Sequence, residues 1–172
     1  LTANALLFSL LLTGKSERIV GGSPTSISNW PYLTSLLFSW NLATYSQACG
    51  GTILTTNAIL SAAHCFASDD VVRWRARIGS TYANNGGVVH TLESIVIHEN
   101  FNWETLDSDI AVLRTVGTIV YNDKVQPANI ASRTYTLEDN EAVWAMGWGA
   151  TNVSIGEGNG RDVTLLYQLY LE

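Results

Sequence analysis

The chain has 172 residues with 9 basic and 15 acidic side chains, a formal charge of −6, and is 47% hydrophobic against 14% charged. That length suits one domain with a real core, and so low a charge content excludes a disordered chain. No basic stripe is present to meet a phosphate backbone, which excludes a nucleic-acid binder, and no apolar run approaches the roughly 20 residues of a bilayer-spanning helix, so no membrane partner is expected.

The longest near-apolar run, Ala5–Leu12, lies at the start. Residues 1–13 turn from apolar to small and polar, the order of an h-region followed by a cleavage region, and read as the back half of a secretory signal peptide. Met146 is the only methionine, so the chain is expected to be incomplete at its N-terminus. Short β-type runs follow. Tyr32–Trp40 is aromatic and aliphatic, and Gly51–Leu54 and Ala58–Ser61 flank a Thr-Thr-Asn turn. Val72–Ile78 alternates with period two, placing Arg73, Arg75 and Arg77 on one face. Asn84-Asn85-Gly86-Gly87 is a hairpin signal leading into Val88–His98. Ile110–Leu113, Gly117–Tyr121 and Val143–Trp148 continue the series, Gly156–Gly160 reads as a loop, and the last eleven residues form one more strand with nothing after it to pair with. No segment carries twelve residues of helical periodicity. Many short strands at this spacing predict an all-β barrel or sandwich.

If the chain is secreted, Cys49 and Cys65, 16 positions apart, are expected to be oxidised; two buried free thiols are the cytosolic alternative. Asn152-Val153-Ser154 is a glycosylation sequon, a short pattern that also arises by chance.

Three stretches carry chemistry: Arg18-Ile19-Val20-Gly21-Gly22; Cys49-Gly50-Gly51 with Ser61-Ala62-Ala63-His64-Cys65; and Asp109-Ile110-Ala111-Val112-Leu113. In this order, with Gly147-Trp148-Gly149 beyond them, they resemble the trypsin-like serine peptidases over about residues 15–150. The stretches WNLATYSQACGGTIL, IGSTYANNGGVVH and AVWAMGWGAT look nearest to insect digestive trypsins.

The resemblance implies two antiparallel β-barrels, the first supplied whole and the second only in part, in a peptidase domain of residues 19–172. It makes residues 14–18 a pro-segment cut after Arg18, so that Ile19 becomes a new N-terminus. It casts His64 as the base that takes the serine proton and Asp109 as the carboxylate that orients it. It ties Cys65 back to Cys49. The expected partners are protein or peptide substrates and protein protease inhibitors, met by a secreted, extracellular monomer that uses no cofactor. No metal is expected. His90 and His98 show no metal spacing with His64, and the loop Gly79–Val88 has no Asp or Glu to hold the calcium ion that some relatives bind there.

One part of the pattern is missing. The family nucleophile lies in a Gly-Asp-Ser-Gly-Gly turn, and the two serines after Asp109, Ser132 and Ser154, sit in no such turn. The 172 residues are therefore expected to be inactive alone and truncated at the C-terminus. The tail after Gly160 loses the family pattern and is expected to stand outside the folded domain. Two other readings compete with a peptidase fragment: a non-catalytic homologue that binds a protein partner, and an unrelated small all-β binding module. Intact His64, Asp109 and Arg18-Ile19 favour the enzyme.

Overall fold

A computed structural model describes residues 23–66, 68–136, 142–149 and 165–170. The signal-like segment 1–13, residues 14–18, the Arg18–Ile19 junction and Asn152 lie outside the described residues.

Among the described residues nine strands run in chain order: β1 (Ser23–Pro24), β2 (Leu33–Phe38), β3 (Ser46–Thr55), β4 (Ala58–Ser61), β5 (Trp74–Ile78), β6 (Val88–Ile97), β7 (Ala111–Thr115), β8 (Ala142–Gly147) and β9 (Leu165–Tyr170). Six of them close a barrel in the order β2-β3-β4-β7-β6-β5, every pair antiparallel. Closure satisfies the ladder of each strand and leaves no edge to template aggregation. Among the described residues no helix is long and apolar enough to cross a membrane.

Period-two alternation decides which side chains fill the barrel. In β5 the residues Trp74, Ala76 and Ile78 point inward while Arg75 and Arg77 stay outside; in β7 Ala111, Leu113 and Thr115 are buried. The apolar ones among these join Leu36, Ile53, Ile59, Ala63, Phe66, Leu92, Ile119 and Val125 in one continuous core. β2 does not alternate, because both its faces are covered. Leu36 enters the barrel core, while Leu33 packs with Ile27, Tyr32, Ala83 and Trp148, and Ser35 Oγ donates to the Ala83 carbonyl at 2.9 Å.

Several expected boundaries move. β5 begins at Trp74, not Val72, because Val71–Arg73 form a 3-10 turn capped by Asp70, whose side chain accepts from the Val72 N–H at 3.2 Å. Arg73 thus leaves the strand face assigned to it. Gly117–Tyr121 forms no strand. Gly117, at φ +85°, turns the chain after β7, and Ile119 then enters the core with its N–H on the Thr56 carbonyl at 2.6 Å. The Asn-Asn-Gly-Gly signal does make the β5–β6 hairpin. Gly87 needs to be glycine twice over: φ is +60°, and a Cβ there would stand 2.3 Å from the Ile78 carbonyl oxygen.

The last strand is a correction. β9 does not lack a partner, and the tail joins the fold: β9 pairs with β8 from Ala142↔Tyr170 to Gly147↔Leu165, and on its other side with β1. Both neighbours, β1 and β8, precede it in the chain. The resulting three-stranded sheet, β1-β9-β8, is the part of a second β unit that stands beside the closed barrel.

The two units meet through aromatic side chains. Trp148 donates its indole N–H to the Thr81 carbonyl at 2.8 Å, and the Tyr32 hydroxyl faces Met146 Sδ at 3.7 Å. Burial pushes the Tyr32 phenol from its ordinary 10 up to about 12. The unfolded chain ionises first, so this contribution is whole below pH 10 and is lost between pH 10 and about 12. Tyr32→Phe should flatten that part of the alkaline decline when urea midpoints are compared on either side of pH 10. An unchanged slope would remove Tyr32 as its source.

Candidate active site

His64 lies in the 3-10 turn Ala63–Cys65, directly after β4. Ala63 is fully buried and seats the turn on the core. Cys65 is bonded to Cys49 in β3, with Cα atoms 6.4 Å apart, so the turn is fixed at both ends. A closed loop of this length lowers the entropy of the unfolded chain by about 3 kcal/mol in the chain-entropy account. Ser61 adds a further bond, one that motif spacing gives no sign of: its hydroxyl donates to the Gly50 carbonyl at 2.8 Å, binding β4 to β3 just before the turn.

Asp109 lies two residues before β7. Because Ser61 pairs with Ala111 across β4 and β7, the chain leaving β4 and the chain entering β7 arrive at the same end of the barrel. That register, rather than sequence proximity, brings together two side chains 45 positions apart. Asp109 Oδ2 is 2.7 Å from His64 Nδ1, and Oδ1 accepts the backbone N–H of His64 at 2.8 Å. The two side chains are 21% and 15% exposed, and no other ion pair occurs among the described residues.

A largely buried carboxylate is costly unless its oxygens find donors. Here both do. An ionised carboxylate only accepts, so Nδ1 must carry the proton, and Nε2 is left with its lone pair. Cys65 Sγ lies 3.6 Å from Nε2. As a disulfide sulfur it has no proton to donate, so Nε2 keeps its capacity to take one. The arrangement is a proton acceptor of fixed tautomer and orientation, the first requirement of general-base chemistry.

The ligand atoms of Cys49, His64 and Cys65 lie within 4.8 Å of one another. The thiolate is what ligates a metal, and both sulfurs are committed to each other, so this group is a disulfide beside an imidazole. The other histidines are elsewhere. His90 lies on β6 and burial lowers its pKa below the ordinary value, while His98 Nδ1 accepts the Asn100 N–H at 3.2 Å. The loop after β5 is closed on itself by Arg77 to the Gly86 carbonyl and Ser80 Oγ to the Asn85 carbonyl. Ser132 is exposed, its hydroxyl 3.0 Å from that of Thr134, and Ser154 lies outside the described residues.

Comparison with known proteins agrees with this geometry. The sequence profile of the trypsin family matches residues 19–165. The chain is 58% identical over 151 residues to Trypsin CFT-1 of Choristoneura fumiferana, covering 88% of this chain and 59% of that protein. It is 56% identical over 134 residues to Trypsin, alkaline A, of Manduca sexta, covering 78% of this chain and 52% of that protein. It thus spans little more than half the length of these relatives. Among solved structures, the scabies mite inactivated protease paralogue S-D1 superposes with a TM-score of 0.78 at 26% identity, over 90% of this chain and 63% of that one. With its closed barrel, its His64–Asp109 pair and these relatives, the chain belongs to the trypsin family.

Proposed function

We propose that this chain supplies the base and the orienting carboxylate of a secreted, trypsin-like serine endopeptidase that cleaves protein substrates after Arg or Lys. The observation that carries the reading is the double grip of Asp109 on His64, 2.7 Å to Nδ1 and 2.8 Å to the backbone N–H, which leaves Nε2 as the acceptor. His64 takes the proton of the attacking serine and returns it to the leaving amine; Asp109 holds the tautomer and stabilises the imidazolium. The nucleophile, the oxyanion donors and the pocket for the substrate side chain belong to sequence that these 172 residues do not contain, so the chain alone is expected to be inactive. Residues 1–13 are assigned as signal, residues 14–18 as the pro-segment of a zymogen, and cleavage at Arg18–Ile19 as activation. Preference for Arg or Lys rests on the trypsin relatives and on the Arg18 junction.

The test starts with the complete transcript, read through its 3′ end. A Gly-Asp-Ser-Gly-Gly turn in the continuation is the expected result. The zymogen expressed from it should react with a phosphonylating serine probe and cleave an arginyl amide only after cutting at Arg18–Ile19. A replaced serine, or an activated protein that ignores both reagents, would overturn the peptidase assignment. The chain would then be a binding homologue, as the inactivated mite paralogue with the same fold allows.

A further inference from the structure

Asp109 is delivered to His64 by the connection from β6 to β7, and that connection is not a relaxed loop. Leu106 and Ser108, neither of them glycine, stand at φ 57° and 55°. Non-glycine residues are strained in the left-handed region and persist there only where their surroundings hold them in it. At the base, the His98 N–H bonds the Ile110 carbonyl at 3.0 Å, and the Ile110 N–H bonds the Ser108 carbonyl at 2.7 Å. At the far end, the bonds converge on one residue. The Asn102 N–H reaches the Asp107 carbonyl at 3.0 Å, and its carbonyl accepts the Leu106 N–H at 2.8 Å. Its side-chain Oδ1 accepts the N–H groups of Glu104 at 2.8 Å and Thr105 at 3.2 Å.

We propose that Asn102 is a positioning residue for the His64–Asp109 pair, its side-chain oxygen folding residues 102–107 into the turn that sets where Asp109 emerges. The inference rests on the proposed function, in which that pair is the base and its orienter. The reason for a remote effect is geometric. Asp109 must satisfy two donors of His64 at 2.7 and 2.8 Å at once, and hydrogen bonds weaken steeply with small changes of distance and angle. Asp109 follows Ser108 directly, so relaxation of the two left-handed residues toward ordinary φ values moves its Cα before anything else. Thr105 contributes a lesser brace, its hydroxyl donating to Asp107 Oδ2 at 2.9 Å. Asn41 offers a control of the same chemistry in another loop: its Oδ1 accepts the Ala43 and Thr44 N–H groups, both at 3.0 Å, between β2 and β3.

The experiment is nitrogen-15 NMR of the imidazole of His64 in the 172-residue chain, where the nitrogen shifts report which ring nitrogen is protonated. The unmodified chain should show the Nδ1–H form. Asn102→Ala should replace it with a mixture of the two tautomers, whereas Asn102→Asp, which keeps the acceptor oxygen, and Asn41→Ala should both retain it. An Asn102→Ala spectrum like that of the unmodified chain overturns the inference, as does equal loss in Asn41→Ala. If the unmodified chain lacks the Nδ1–H form, the His64–Asp109 reading itself fails and takes this one with it. Should Asn102→Ala not fold, amide exchange in the unmodified chain decides: Glu104, Thr105 and Leu106 should exchange slowly along with His64, and fast exchange confined to those three refutes the brace.

Discussion

Asp109→Asn in the activated full-length enzyme is expected to lower kcat by on the order of 10⁴-fold with little change in KM. The amide is nearly the shape of the carboxylate, but it has one acceptor where the site presents two donors. If its oxygen takes the backbone N–H of His64 in place of Oδ1, its NH₂ faces Nδ1 and forces the proton onto Nε2, the atom that must accept one. If it turns the other way, two N–H groups confront each other across 2.8 Å, leaving a part-buried donor unpaired at about 1–3 kcal/mol. Either orientation spoils the base or the loop. His64→Ala should lose nearly all activity, and adding Asp109→Asn to it should cost almost nothing more, because residues that act as a unit are not additive. Steady-state kinetics on an arginyl amide would check the set; an undiminished rate for His64→Ala would remove His64 from the mechanism.

Leu113→Ala is expected to destabilise the barrel by about 2–5 kcal/mol. Leu113 is fully buried at the centre of β7, opposite Ile59 on one neighbouring strand and Ile95 on the other. Strands locked into a closed ladder collapse poorly onto a cavity, which places the cost toward the upper part of that range. Val120→Ala, at a residue 75% exposed, should stay within about 0.5 kcal/mol. Urea unfolding measures both, the midpoint falling for Leu113→Ala at unchanged slope. A loss below 1 kcal/mol would mean that the interior relaxes far more than a closed barrel should.

Alternation made β5 and β7 legible, since each has one buried and one wet face. It failed for β2, where the second face packs under Ile27 and under Ala83 and Trp148, the last two far away in sequence. It also missed the first half of β3, because Ser46–Gly50 is polar and small and pairs with β2 mainly through backbone. Gly117–Tyr121 had the composition of a strand and no neighbour to pair with. β9 had neighbours, but upstream.

The site was legible in a different way. Nothing about a separation of 45 positions predicts that His64 and Asp109 touch; the motifs around them did, and the β4–β7 register supplies the reason. Cys49 and Cys65 became a disulfide through the same family pattern, now present in the structure. Asn102 left no such trace. An asparagine in a polar loop is common, and its importance appears only with the left-handed backbone at Leu106 and Ser108.

The arginines around β5 bear on how the molecule tolerates its medium. Arg73 holds the Ser39 and Trp40 carbonyls, Arg75 bonds Thr91 and Tyr45 and lies 4.5 Å over the Tyr45 ring, and Arg77 holds the Gly86 carbonyl. None of these acceptors is a carboxylate. Added electrolyte, which screens exposed ion pairs, has little to weaken here, and acidification finds no anionic partner to neutralise. These arginine contacts, unlike the carboxylate contacts that Asp69 and Asp70 make just before β5, are indifferent to brine and to acid alike.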